Sequence, residues 1–166
     1  DWSSVQAAAR RLEVGEADVA FVHLGNLETA AKATGTPSAG YVRALEAVDA
    51  QVGALLRAIR SRSAWDGEDW LVVVVGERGL TPWGEGGGES PEETELLWLA
   101  SGPAVLEGAF AAPPEAVDVV PTVLAHLGIP VDPSWGLDGR AKGLRPRVDA
   151  GADPYAPLLG TPGEIR

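Results

Sequence analysis

The run Trp70-Leu71 followed by four valines, WLVVVV, constrains this chain more than any other stretch. β-Branched side chains favour extended backbone, and the missing apolar–polar alternation marks a strand covered on both faces. Two further runs read the same way: ADVAFVHL (residues 17–24), ending at Gly25, and LLWLA (residues 96–100), closed by Ser101-Gly102-Pro103. Residues 39–60 carry Tyr41, Leu45, Val48, Val52, Leu55, Leu56 and Ile59 at three- and four-residue steps, one apolar stripe along a helix. Ser3 or Ser4 caps a first helix holding Val5, Ala8, Ala9 and Leu12, with Gly15 as its stop. Asp118 caps a last helix that carries Pro121 in its first turn and ends at Gly128. Strands without alternation, interleaved with helices, predict an α/β fold: three layers, a mainly parallel sheet flanked by helices.

In such sheets functional loops leave the carboxyl ends of the strands. Glu28 follows the first expected strand, Glu77 and Arg78 follow the second, and Glu85 lies on the same glycine-rich loop. A chain of 166 residues is long enough for one domain with a real core. We expect that domain over residues 1–144, followed by a Pro/Gly-rich tail over 145–166. The net charge of −11 argues against nucleic acid and against anionic membranes as partners, since both require clustered Lys and Arg. No apolar run approaches the roughly 20 residues of a membrane helix. The absence of cysteine excludes disulfides, thiolate catalysis and thiolate metal sites. A chain opening on Asp1 without methionine reads as a processed chain, an excerpt of a longer one or an engineered derivative.

The loop residues sit in recognisable surroundings. LGNLETAAKATG (residues 24–35), VVVVGERG (residues 72–79) and TPWGEGGG (residues 81–88) resemble three segments from the C-terminal half of the alkaline phosphatase superfamily, notably its phosphodiesterase/sulfatase-like members. There these segments typically read LG-x-x-D-x-x-G-H-x-x-G, S-D-H-G and G-H-G. YVRALEAVDAQVGALLRAI, VDVVPTVLAHLGIP and WGLDGRAKGL are similar to further segments of that family in the same order. The resemblance implies an alkaline-phosphatase-like partial fold and places Glu28, Lys32, Glu77, Arg78 and Glu85 at five former metal-ligand positions. It also implies an N-terminal half, supplying a further metal-binding Asp and the Ser or Thr nucleophile, for which nothing before residue 17 provides a counterpart.

At those positions each Asp has become Glu, and three His have become Lys, Arg and Glu. The family would bind two divalent metals such as zinc through imidazoles and short carboxylates at about 2.0–2.2 Å. Lysine and arginine are cations at neutral pH and offer no lone pair. Three arrangements fit these residues. Lys32 and Arg78 stand in for the metals and pair with the carboxylates; the five side chains are separately solvated; or Glu28, Glu77 and Glu85 hold a hard ion such as Ca²⁺ or Mg²⁺. Lys32 and Arg78 also suit anion binding. We expect no catalytic residue, no metal and no cofactor. The expected function is that of a catalytically inactive structural or binding module with a salt-bridged pseudo-site, partnered by a second copy or by the missing N-terminal half. The alternative is a metal-dependent phosphodiesterase or phosphatase, or a fragment or engineered derivative of one.

Overall fold

The computed structural model describes residues 1–15, 17–108, 110 and 112–146. Of the tail expected over 145–166, residues 147–166 lie outside the described residues.

Helix α1 (Trp2–Val14) buries Val5 and Leu12, seven residues apart on one face. Gly15 stops it in the left-handed conformation, φ 75°, where its N–H reaches the carbonyls of Arg11 and Leu12. The cap position belongs to Asp1 rather than Ser3 or Ser4, and the Asp1 carboxylate accepts from the Asn26 N–H at 3.1 Å, at the start of α2 (Asn26–Thr34). Helix α3 (Ala39–Arg60) has the bounds the apolar stripe predicts, and Ser38 Oγ accepts from the Tyr41 N–H at 3.0 Å. Both α1 and α2 pack on α3, and Ala31 of α2 and Ala58 and Ile59 of α3 are buried.

Arg62, just beyond α3, ties this helical unit to the first strand. Its guanidinium donates to both carboxylate oxygens of Glu68, through Nε at 2.7 Å and through Nη2, and Nη1 donates to the Leu12 carbonyl at the end of α1. Trp70 Nε1 donates to Glu68 Oε2 at 2.8 Å, and the guanidinium carbon lies 5.5 Å from the centre of the Trp70 ring. These contacts hold Glu68 down to about 2, the Arg62 hydrogen bond contributing most and the indole N–H next.

The sheet corrects the expected architecture. Strand β1 (Val72–Val75) pairs with β2 (Trp98–Ser101) in antiparallel register, Val72 opposite Ser101 and Val75 opposite Trp98. Among the described residues this is a two-stranded sheet, not the mainly parallel sheet of a three-layer, alkaline-phosphatase-like α/β fold. The connection explains the direction. Parallel neighbours need a crossover, usually a helix, that returns the chain to the end where it started. Residues 76–97 are glycine-rich and contain only the four-residue helix α4 (Pro91–Thr94), so the chain turns back alongside β1.

Residues 17–24, expected as a further strand, form no described strand, and Val19 and Phe21 are 53% and 86% exposed. Among the described residues β1 pairs with β2 alone, and this segment joins no ladder. An apolar run without a neighbour for its backbone groups has nothing to hold it extended.

The C-terminal part begins at a 3₁₀ turn (Ala116–Asp118) leading into α5 (Val119–Leu127), which Gly128 closes at φ 72°. Asp118 occupies the N-cap position of α5, but its side chain makes no capping hydrogen bond to that helix and is used elsewhere. Its carboxylate, 5% exposed as a residue, accepts from the N–H of Glu115 at 2.9 Å and of Arg140 at 2.7 Å, and lies 3.5 Å from Lys142 Nζ. Thr122, fully buried, donates to the Asp118 carbonyl at 2.6 Å and accepts from the Lys142 N–H at 3.0 Å. Together they fasten residues 139–142 across α5. His126 Nε2 lies 2.9 Å from the Asp69 carbonyl, joining α5 to the approach to β1.

Candidate functional site

Helix α2 presents Glu28 in its first turn and Lys32 in its last, the order of charges that the helix dipole favours. Four residues apart, they face one another, and Lys32 Nζ donates to Glu28 Oε1 at 2.8 Å. The chain leaves β1 through Gly76 and brings Arg78 to the same carboxylate: Nη2 donates to Glu28 Oε1 at 2.9 Å. Glu77 lies beside it, Oε1 being 3.7 Å from Arg78 Nη1, an ion pair too long for a hydrogen bond. One carboxylate oxygen therefore serves two cations, and a second carboxylate flanks the guanidinium. The hydrogen bond from Lys32, followed by that from Arg78, holds Glu28 below the usual carboxylate range.

Two close backbone approaches set this geometry. At Gly79, a Cβ would stand 1.8 Å from the Glu92 carbonyl oxygen, so only glycine lets the loop after Arg78 lie against α4. At Gly84, φ 81°, a Cβ would stand 2.1 Å from the Ala31 carbonyl oxygen, so the turn of residues 81–84 presses onto α2. That turn closes on itself, the Thr81 N–H donating to the Glu85 carbonyl at 2.8 Å and the Glu85 N–H to Thr81 Oγ1 at 3.1 Å. The Thr36 N–H donates to the Pro82 carbonyl at 3.0 Å and completes the seam. Arg78 lies along the loop beyond, where a Cβ at Gly86 would come within 3.1 Å of its Nε.

The structure thus brings together four of the five residues singled out from the sequence. Glu28, Lys32, Arg78 and Glu77 form one ion-paired cluster, while the Glu85 side chain makes no ion pair among the described residues. Side-chain exposure runs from 38% at Arg78 and 39% at Glu28 to 65% at Lys32 and 73% at Glu77, so the cluster is a surface feature. As arranged, the five do not make a two-metal ligand set: two contribute cations without lone pairs, and Glu28 already accepts from both. Among the described residues, no group of three or more His, Asp or Glu side chains is placed to hold a metal ion. His23 is exposed in the segment before α2.

Sequence reasoning did not single out Thr81 and Gly84, which hold the Glu85 loop to α2. A Thr-Pro-x-Gly turn was visible, but nothing in it pointed to the end of a helix some 50 residues earlier. The Arg62–Glu68 pair sits in a polar connector with no periodicity to mark it.

No known protein family, characterised protein or solved structure matches this chain.

Proposed function

We propose that this chain is a catalytically inactive structural or binding module, in which an ion-paired cluster occupies positions where metallohydrolases of the alkaline phosphatase type keep metal ligands. The observation that carries the reading is Glu28 Oε1, which accepts from Lys32 Nζ at 2.8 Å and from Arg78 Nη2 at 2.9 Å. Two cations around one carboxylate meet the charge balance that a divalent metal would otherwise supply, without its Lewis acidity. The same pairing occupies Lys32 and Arg78, which lowers their capacity to bind a phosphate ester. The antiparallel ribbon departs from the fold that the sequence resemblance implied, so the reading rests on the side-chain cluster and the segment order.

Calorimetric titration of chelator-treated protein with Zn²⁺, Mn²⁺, Mg²⁺ and Ca²⁺ tests it, alongside hydrolysis of p-nitrophenyl phosphate and of its diester. The expected result is no saturable binding below the millimolar range and no turnover above blank. One or two metals bound tightly, and lost on Glu28→Ala or Glu77→Ala, would overturn the proposal and restore the hydrolase reading.

A further inference from the structure

Between Gly79 and Gly139 the chain carries ten acidic residues and no lysine or arginine, which concentrates nearly the whole net charge of −11 in this span. β2 lies inside it. Exposure alternates along the strand: Trp98 is buried at 7% against Phe110, at a ring-centre distance of 6.3 Å, whereas Leu97 and Leu99 on the opposite face are 56% and 55% exposed. Val74, directly across from Leu99, shares that outer face and is half-buried. Among the described residues β2 pairs only with β1, the ladder being extended by the Gly76 N–H to the carbonyl of Leu97 just before β2, and no described residue bonds to the backbone of its outer edge. Glu92 and Glu95, both exposed, stand immediately upstream on α4 and its cap.

We propose that the outer edge and face of β2 dock an extended segment of a partner protein in which apolar residues alternate with lysine or arginine. Main-chain bonds to the open edge supply affinity, and alternate side chains supply selectivity. The apolar residues of the incoming strand extend the Leu97–Leu99 face, and its cations meet Glu92, Glu95 and the surrounding negative field, which speeds encounter and selects against acidic strands. A second copy of this chain fits less well, because it would bring the same ten carboxylates against themselves. The inference deepens the binding-module reading by naming a partner class. It does not depend on the ion-paired cluster, so failure here leaves the metal titration to decide that question separately.

The test is fluorescence anisotropy with labelled peptides of alternating valine and lysine, valine and glutamate, or serine and lysine. Saturable binding of the valine–lysine peptide is expected, at least tenfold tighter than either control and weakened by salt. Leu99→Lys places a cation at an exposed position and should weaken binding at least tenfold with an unchanged far-UV circular dichroism spectrum. Glu92→Gln with Glu95→Gln should weaken it several-fold, and this pair keeps the test valid if Leu99→Lys fails to fold. Equal binding of the serine–lysine peptide would reduce the effect to bulk charge and overturn the proposal. So would unchanged binding in both sets of variants, or a dimer by sedimentation equilibrium that Leu99→Lys converts to monomer.

Discussion

Removing the Asp118 carboxylate should release residues 139–142 and cost a large part of this chain's stability. The magnitude follows from three contacts. The carboxylate accepts from the N–H groups of Glu115 and Arg140 at 2.9 and 2.7 Å, and these are charge-assisted hydrogen bonds. Each is worth about 1.5–3 kcal/mol net, and the lower figure applies because both N–H groups can regain water once the segment lifts. The Lys142 pair at 3.5 Å adds about 0.5 kcal/mol, as expected for an ion pair with one partly exposed partner. Asp118→Ala should therefore lose about 3–4 kcal/mol, a large share of the 5–15 kcal/mol that a domain typically has.

Asp118→Asn separates charge from shape. Its amide oxygen still accepts from the Arg140 N–H, but its NH₂ faces the Glu115 N–H without an acceptor, so the loss should be about 2 kcal/mol. Urea unfolding followed by circular dichroism measures both, and hydrogen exchange reports the Arg140 and Lys142 amides directly. A loss below 1 kcal/mol in Asp118→Ala, with exchange at those two amides unchanged, would refute the reasoning. The ionisation argument has the same sign. Burial alone would raise the Asp118 pKa, but the N–H groups of Arg140 and Glu115, with Lys142, outweigh it and hold it below the ordinary aspartate value. A depressed folded pKa means this contribution is present above the unfolded value and lost as the pH falls through the folded one.

Three further outcomes follow from other contacts. Glu68, held at about 2, contributes stability that is present above pH about 4.5 and lost as the pH falls toward 2, so Glu68→Gln should flatten that part of an acid-unfolding curve; an unchanged acid limb would show that the Arg62 clamp contributes nothing. Phe21→Ser should change stability by no more than about 0.5 kcal/mol, as for other exposed sites, whereas a loss of about 3 kcal/mol or more would place residues 17–24 in a buried strand after all. Arg78→Ala and Lys32→Ala should each raise the Glu28 pKa, with Lys32→Ala having the larger effect, as read by carboxyl NMR titration; no shift in either variant would dissolve the ion-paired cluster.

The helices were legible where one rule acts alone. α3 has the bounds its stripe predicts, because a 22-residue amphipathic pattern leaves little freedom of phase. Gly15 and Gly128 end α1 and α5 because each takes a left-handed conformation that other residues avoid. α2 is harder to see: NLETAAKAT is short, its apolar face is mostly alanine, and the four-residue Glu28–Lys32 spacing is its main helical mark. α4 hid in the glycine-rich loop, although Ser90-Pro91-Glu92-Glu93 carries the ordinary marks of a helix start.

The sheet shows where pattern runs out. Apolar runs identified the places of β1 and β2 to within a few residues, but an apolar run says nothing about which neighbour it takes or in which direction. The connection decides direction, and residues 76–97 lack the helix a parallel return requires. The same limit explains residues 17–24, whose composition matches a core strand and which pair with no strand among the described residues. The ion-paired cluster depended less on the sheet. Glu28 and Lys32 meet through helix geometry alone, and Arg78 needs only to emerge from β1 near the α2 surface. The turn ending in Gly84 holds that surface in place through backbone contact with Ala31 and Thr36, with no parallel strand involved. A charge cluster defined by one helical turn and one loop can therefore form in an architecture quite different from the one its sequence pattern suggested.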